Sequence, residues 1–197
     1  MRWVLATLVA LSATGPPAQD APVEPSLDEA VLMAALDDLL TYKGKDTPVY
    51  GPFSPNKPLA FVVRPESYPL TVESLLYRHR EDLWEKLTAG EIVASREAAE
   101  SLAERVKTLP PDATFAIADK RLRLRDARTE NEHEKAHPFS FDRGTRAYRP
   151  GYSNDGQLAI VRFNIPWSSF HSADATYVLV RQDGAWKVRV RQFVIYM

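Results

Sequence analysis

The chain has 197 residues, of which 45% are hydrophobic and 26% charged, with 25 basic and 26 acidic side chains. These proportions are typical of a folded protein of one domain and exclude disordered, collagen-like and coiled-coil chains. A net charge of −1 gives no general attraction to nucleic acid or anionic membranes, and the lack of cysteine excludes disulfides, thiolate metal sites and a cysteine nucleophile.

The N-terminal segment has the organisation of a secretory signal peptide. Arg2 supplies a positive start, and residues 3–13 form an uncharged, mostly apolar run that small residues and prolines follow. This run is shorter than the roughly 20 apolar residues that a membrane span requires. We therefore predict a signal peptide over 1–18, cleaved after Ala18, then a linker over 19–25. The remaining residues, 26–197, are predicted to form a single secreted or periplasmic domain without a transmembrane segment.

A helix and a buried strand are predicted at the start of this domain. Ser26 and Glu29 have the spacing of a capping box, in which each side chain accepts a hydrogen bond from the other's backbone N–H. The apolar periodicity that follows predicts a helix ending near Gly44. Four prolines between 46 and 58 exclude a helix or a central strand there. The apolar run from Leu59 to Val63 then predicts a buried strand.

Two further helices are predicted before the chain changes to strands. An apolar stripe at helical spacing predicts the second helix over 71–87, with Gly90 just past its end. Ser95 is the predicted N-cap of the third helix, which has to end before Pro110.

The second half of the domain is predicted to contain strands and tight turns. Short strands over 114–118 and 121–125 flank an Asp-Lys turn. Three longer strands follow, over 158–164, 175–180 and 186–196. Helices followed by antiparallel strands predict an α+β fold, with about three helices packed on an antiparallel sheet of five or six strands and a C-terminal three-stranded meander.

The parity of the last hairpin loop determines which side chains share a face. An even loop at Asp183-Gly184 gives the two strands one common apolar face, formed by Tyr177, Leu179, Trp186 and Val188. The opposite face should then carry three basic side chains, those of Lys187, Arg189 and Arg191.

The C-terminal part resembles a pattern found in exported bacterial proteins of unassigned function. The pattern combines a turn over 151–156 (GYSNDG), a strand, and a hairpin that here contains Tyr177, Leu179, Gly184, Trp186 and Val188. It covers about a quarter of the chain. The resemblance implies an exported α+β domain and supplies no catalytic residue.

The string His133-Glu134-Lys-Ala-His137 matches the H-E-x-x-H motif of zinc hydrolases. In a helix this spacing places both imidazoles on one metal, with the glutamate as general base. Residues 128–135 contain no apolar side chain, however, and Pro138 disfavours helical geometry at His137. We therefore predict a polar, solvated loop and no metal or cofactor. A zinc-dependent hydrolase using His133, Glu134 and His137 is the alternative.

Alternating basic side chains in several predicted strands suggest an anion site. They occur as Arg121, Arg123 and Arg125, as Lys187, Arg189 and Arg191, and singly as Arg162. Arginine binds carboxylate and phosphate through two parallel hydrogen bonds. The same alternation is also expected of strands that have one solvated face, and the chain has enough acidic residues to pair these arginines.

The loop over 166–174 (PWSSFHSAD) is a second candidate binding element. Its aromatic side chains beside His171 suit carbohydrate or peptide binding or acid–base chemistry, or they close one end of the core. Nothing in the sequence establishes a nucleophile or an oxyanion hole, so no catalytic residue is assigned. We predict a non-catalytic binding or accessory domain for an acidic or polar partner, protein or small ligand but not nucleic acid. The candidate ligand-binding residues are Arg162, Trp167, His171, Arg189 and Arg191.

Overall fold

The structure is a computed structural model that describes residues 26–41, 59–63, 70–76, 86–107, 117, 119–137, 144–166 and 171–196. These residues form four helices and seven strands, in the order α1 (Leu27–Thr41), β1 (Leu59–Val63), α2 (Val72–Leu76), α3 (Ala89–Arg105), β2 (Leu122–Leu124), α4 (Ala127–Ala136), β3 (Thr145–Ala147), β4 (Gly151–Tyr152), β5 (Leu158–Pro166), β6 (Ser172–Gln182) and β7 (Ala185–Tyr196). The predicted α+β fold and its C-terminal meander are confirmed.

The described strands belong to one mixed sheet. Their order is β2-β1-β3-β5-β6-β7, and β4 pairs with β5. β1 runs parallel to both β2 and β3, whereas the other pairs are antiparallel. The predicted antiparallel sheet is present over β3 to β7, and the edge formed by β2, β1 and β3 is parallel. The connections from β1 to β2 and from β2 to β3 contain helices, and such crossovers return the chain in the same direction.

Helices pack on both faces of the sheet because the central strands are apolar on both sides. On the face that we call the α1 face, Phe61, Phe163 and Tyr177 form a core with the buried side of α1. On the opposite face, the α3 face, Ile160 and Val178 pack against α2 and α3. Successive residues of β5 therefore point alternately towards α1 and towards α3.

The last hairpin has an even loop, as predicted, and the loop contains two residues. Asp183 and Gly184 both have positive φ, 52° and 80°, as a type I′ turn requires. The expected apolar face is present, with Trp186 and Val188 packed on the core that contains Tyr177 and Leu179. A register shift follows, because Leu179 pairs with Val188 but Val178 pairs with Val190. Arg189 is the extra residue of this bulge.

The beginning of α3 differs from the prediction. Its N-cap is Thr88, whose side chain accepts a hydrogen bond from the Glu91 N–H at 3.2 Å, while the Glu91 carboxylate accepts one from the Thr88 N–H at 2.7 Å. Ser95, the predicted N-cap, is fully buried inside the helix. The prediction treated Gly90 as the residue just past the end of the second helix. In the structure, Gly90 lies in the first turn of α3.

The first predicted helix agrees with the structure over its described residues, and the second is described only over its first part. α1 begins at the predicted capping box, with the Ser26 N–H donating to the Glu29 carboxylate at 2.8 Å. It ends at Thr41. α2 is described over Val72–Leu76, and Leu87 already lies in the bend that precedes α3.

Gly151, Ser153 and Gly156 of the turn motif over 151–156 each have a structural role. A Cβ atom at Gly151 would lie 2.0 Å from the carbonyl oxygen of Ala98, so α3 can pack here only on glycine. The Ser153 hydroxyl donates to Asp155 at 2.6 Å and accepts from the Leu158 N–H at 3.0 Å. Gly156 has a φ of 67°. The motif therefore defines the fold and gives no sign of a binding site.

Some predictions concern residues outside the described ranges. These are the signal peptide and linker over 1–25, the end of the first helix near Gly44, the proline-containing segment over 46–58, residues 77–85 of the second helix, most of the strand over 114–118, and Trp167. Among the helices that are described, none has the length and apolar character needed to cross a membrane.

Candidate functional site

The H-E-x-x-H string lies in a helix, and the predicted polar loop was wrong. α4 begins after Asp126, whose carboxylate accepts a hydrogen bond from the Thr129 N–H at 2.8 Å. It ends at Ala136, and His137 is the C-cap with φ −133° and ψ 64°. Pro138 therefore follows the helix without disturbing it, because the residue before the proline is already non-helical.

α4 is anchored to the sheet by buried carboxylates. A surface helix usually packs through an apolar stripe instead. Glu130 is fully buried, accepts a hydrogen bond from Arg125 at 2.8 Å and accepts a second from the Gly144 N–H at 2.7 Å. One turn later, Glu134 forms an ion pair with Arg146 of β3. A prediction that counts only apolar side chains cannot detect such a helix, because here the buried side consists of carboxylates with arginine partners.

The two histidines of the string are close together but do not form a recognisable metal centre. The ring centroids of His133 and His137 are 5.0 Å apart. Glu134, the general base of the zinc alternative, is occupied by Arg146. No three His, Cys, Asp or Glu side chains in the described part of the chain are grouped so that they could hold a metal ion.

A row of polar side chains crosses the α3 face beside this helix. Arg146 of β3 pairs in register with Asn164 of β5, and Asn164 pairs with Asp174 of β6. Arg162 and Thr176 form the next row on the same face. We call these five residues the polar patch. It is continuous with the apolar row of Ile160 and Val178 that packs under α3.

The polar patch is internally hydrogen-bonded. Asp174 forms an ion pair with Arg162 and accepts a hydrogen bond from the Asn164 amide at 3.0 Å. Arg162 also donates to the backbone carbonyl of Ser74 in α2 at 3.3 Å. The side chains of Arg162 and Asp174 are each only 11% exposed, so this ion pair is largely removed from water.

The predicted arginines of β7 do not share a groove with each other. Arg189 donates to Glu91 of α3 at 2.9 Å, whereas Arg191 donates to Asp38 of α1 at 2.7 Å. The bulge at Arg189 breaks the alternation, so the two side chains contact helices on opposite faces. The predicted common basic face of β7 is therefore wrong. Hydrogen bonding from Arg189 is the largest of the effects that hold the pKa of Glu91 below its usual range.

Two of the other predicted binding residues, Arg162 and His171, lie at the end of the sheet that carries the polar patch. Arg162 belongs to the patch itself. His171 directly precedes β6 and is half-buried, three positions before Asp174. The structure therefore brings Arg162 and His171 to one end of the sheet and separates Arg189 from Arg191. Trp167 lies outside the described residues.

A second charged cluster joins α1 to α3 and was not anticipated from the sequence. Asp28 of α1 accepts hydrogen bonds from Arg105 at 2.7 and 2.9 Å, from Arg149 at 3.1 Å and from the Tyr152 hydroxyl at 2.8 Å. Arg105 also donates to the carbonyl of Pro150 at 2.9 Å. Burial raises the pKa of Tyr152, and the Asp28 charge acts in the same direction. These contacts connect α1, α3 and the segment over 149–152, so the cluster stabilises the packing of these three segments.

Sequence reasoning also missed Arg146, Asn164 and Thr176. They lie in three different strands, and only the pairing of β3, β5 and β6 brings them together. Comparison of the chain with protein-family models, with curated proteins and with solved structures gave no match.

Proposed function

We propose that the protein is an exported, non-catalytic binding domain that holds an acidic or polar partner at the polar patch. The supporting observation is the Arg162–Asp174 ion pair on a sheet face whose neighbouring row is apolar. Burying two charges costs several kcal/mol per ion, and apolar side chains of similar size often stabilise a fold equally well. Since apolar side chains would serve the fold as well on this argument, we take the ion pair as support for a role in recognition.

The composition of the patch indicates the chemistry of the partner. Arginine, asparagine and threonine side chains supply N–H and O–H donors, and the carboxylate of Asp174 is already occupied by Arg162 and Asn164. A partner that presents carboxylate, phosphate or hydroxyl oxygens fits these donors. Export is part of the proposal on the strength of residues 1–18. It predicts a mature chain starting at Gln19, which intact-mass measurement of the exported protein would test.

The test of the binding surface replaces the ion pair by apolar residues of similar size. We expect Arg162→Met combined with Asp174→Leu to keep or raise the melting temperature, since the pair contributes little net stability. Binding of acidic probes (citrate, inorganic phosphate and a Glu-rich peptide), measured by calorimetry, should weaken at least tenfold.

The matched control applies the same exchange to an exposed pair on α4, Arg128→Met with Glu132→Leu, and should leave probe affinity unchanged. The proposed function would be overturned if the wild-type protein bound none of the acidic probes. It would also be overturned if the Arg162/Asp174 variant folded and bound them as tightly as wild type.

A zinc-dependent hydrolase is the second candidate because His133, in the last turn of α4, and His137, its C-cap, have ring centroids 5.0 Å apart. Metal analysis after dialysis against zinc and then metal-free buffer tests it. Near-stoichiometric zinc that is lost in His133→Ala/His137→Ala would support this candidate, and Glu134→Gln should then keep the metal but abolish hydrolysis. Absence of retained zinc would reject it.

A further inference from the structure

The chain contains two Asp-Gly dipeptides, Asp155-Gly156 and Asp183-Gly184, and both lie in turns next to strands of the sheet. Both glycines have a positive φ, 67° at Gly156 and 80° at Gly184. An aspartate followed by glycine is prone to a spontaneous reaction in which the glycine nitrogen attacks the aspartate side chain, because glycine has no Cβ atom to hinder the approach. The two dipeptides have opposite environments for this reaction.

The reacting groups of Asp155-Gly156 are engaged in hydrogen bonds. The Asp155 carboxylate accepts from the Ser153 hydroxyl at 2.6 Å and from the Gln157 N–H at 2.9 Å. The Gly156 N–H donates to the Ser153 carbonyl at 2.9 Å. Both the carboxyl group and the attacking nitrogen of this dipeptide are therefore held by the turn over 153–158.

The same groups of Asp183-Gly184 are accessible. The Asp183 side chain is 95% exposed, and the Lys187 ammonium lies 3.8 Å from its carboxylate, which is beyond hydrogen-bond distance. The Gly184 N–H has no backbone acceptor among the described residues. Residues 182–185 are all exposed in the described structure. Neither the carboxyl group nor the nitrogen has to break a hydrogen bond in order to react.

We propose that Asp183 is a site of spontaneous conversion to isoaspartate in the folded protein, whereas the turn over 153–158 protects Asp155 from the same reaction. The Gly184 nitrogen forms a bond to Cγ of Asp183, and one carboxyl oxygen leaves as water with the amide hydrogen and the carboxyl proton. Water then opens the resulting succinimide. Addition at the α-carbonyl gives isoaspartate, and addition at the side-chain carbonyl restores aspartate. The water lost in the first step is regained in the second, so the conversion needs no co-reactant.

The protonation state of Asp155 adds to its protection. The first step uses the neutral carboxyl group, from which water can leave. Hydrogen bonding from Ser153 is the largest of the effects that hold the pKa of Asp155 below its usual range. The neutral form of Asp155 is therefore rarer at any given pH than that of an ordinary aspartate.

Conversion at Asp183 changes the hairpin that joins β6 to β7. Isoaspartate carries the main chain through its Cβ atom, which adds one backbone atom to the loop closed by the pair Gln182 and Ala185. The type I′ turn fits a two-residue loop with the ordinary backbone spacing. Trp186 follows this pair, and its ring centroid lies 6.1 Å from that of Tyr152. We expect the converted protein to show faster hydrogen exchange of the amides over 185–187.

The experiment incubates the folded protein at pH 5 and 37 °C, and in parallel the protein unfolded in guanidinium chloride at the same pH. Trypsin places the two dipeptides in separate peptides, 182–187 and 147–162. Isoaspartate peptides have the mass of the aspartate forms but separate from them by chromatography, and the succinimide is lighter by one water. In the folded protein, isoaspartate should accumulate at 183 at least tenfold faster than at 155. In the unfolded protein the two rates should be similar.

Gly184→Asn places a side chain beside the attacking nitrogen and retains a residue that tolerates positive φ. It should slow conversion at 183 at least tenfold. Gly156→Asn is the matched control, since at both glycines no atom of the described residues lies within 4 Å of an added Cβ atom. It should leave the rate at 183 unchanged. Equal rates at 183 and 155 in the folded protein, isoaspartate at 183 only after unfolding, or an unchanged rate in Gly184→Asn would overturn the proposal.

Discussion

Arg189 and Arg191 are two positions apart in β7, yet they form hydrogen bonds to helices on opposite faces of the sheet. Arg189 contacts Glu91 of α3 and Arg191 contacts Asp38 of α1, at 2.9 and 2.7 Å. In a regular strand, residues i and i+2 point the same way. The bulge opposite Val178 and Leu179 removes this relationship.

The opposite orientation predicts that the two arginines act independently. Arg189→Ala and Arg191→Ala should each destabilise the protein modestly, and their effects should add to within about 0.5 kcal/mol in the double variant. Urea unfolding of the four proteins measures this. Coupling well above that value would indicate a shared contact.

Titration of Glu91 provides a more specific test of the same geometry. Hydrogen bonding from Arg189 lowers the pKa of Glu91, so Arg189→Ala should raise that pKa towards its ordinary value. Arg191→Ala should leave it unchanged. Carboxyl ¹³C shifts followed against pH distinguish the two outcomes.

Gly151→Ala should be among the most destabilising small substitutions in the described part of the chain. The new Cβ would lie 2.0 Å from the Ala98 carbonyl oxygen and 2.3 Å from the Leu102 nitrogen, both of them backbone atoms that cannot move independently of α3. We expect a loss of about 3 kcal/mol or more in the free energy of unfolding.

Gly90→Ala is the matched control, because nothing lies within 4 Å of a Cβ atom there and Gly90 is in the first turn of α3. It should stabilise the protein by up to about 1 kcal/mol. Equal stability of Gly151→Ala and wild type in chemical denaturation would contradict the close packing of β4 on α3.

Thr88→Ala and Ser95→Ala should have opposite effects on stability. Thr88 caps α3, so its loss should cost about 1 kcal/mol. The buried hydroxyl of Ser95 has no partner within the described structure, so alanine should be neutral or stabilise by about 1 kcal/mol. Thermal unfolding measures both. If Ser95→Ala destabilised the protein and Thr88→Ala did not, the helix would begin at Ser95, as the sequence pattern predicted.

Glu130→Ala should detach α4 from the sheet. It leaves Arg125 and the Gly144 N–H without their buried acceptor, which should cost about 3–5 kcal/mol. The exposed Glu132 of the same helix provides the control, and Glu132→Ala should change stability by less than about 1 kcal/mol. Hydrogen exchange of the α4 amides should accelerate only in Glu130→Ala. Similar exchange in both variants would show that Glu130 does not anchor the helix.

Titration of Tyr152 should lower the free energy of unfolding at alkaline pH. Burial, with the charge of Asp28, raises its pKa in the folded protein above the ordinary value of about 10. Between the two pKa values only the unfolded state loses the proton, so stability is fully present below about pH 10 and declines above it. The stability difference between wild type and Tyr152→Phe should therefore shrink from pH 9 to pH 11, by at most about 1.4 kcal/mol per pH unit. A constant difference would contradict the shifted pKa.

Local patterns in the sequence were sufficient for the features that depend on neighbouring residues. The Ser26–Glu29 capping box and the two-residue loop at Asp183-Gly184 depend on contacts within a few positions, and the strand from Leu59 to Val63 is marked by an unbroken apolar run. Such contacts leave a readable spacing, and the α+β class follows from the order of these elements.

Other features depend on residues that are distant in the sequence. α4 looked like a loop because its buried side is acidic. Burial of Glu130 is made possible by Arg125 and by the Gly144 N–H, 14 positions away, and burial of Glu134 by Arg146, 12 positions away. Ion pairing between distant segments has no periodicity that a sequence can display, so hydrophobic patterns miss it.

The sequence by itself determined the α+β class, the meander and the start of α1, because side-chain periodicity and turn chemistry act over a few residues. Only the tertiary structure decided the mixed edge of the sheet, the separation of Arg189 from Arg191 and the polar patch. Each of these depends on strand pairing, which places Arg146, Asn164 and Asp174 side by side although 28 positions separate the first from the last. A single bulged residue then reverses which face a side chain occupies.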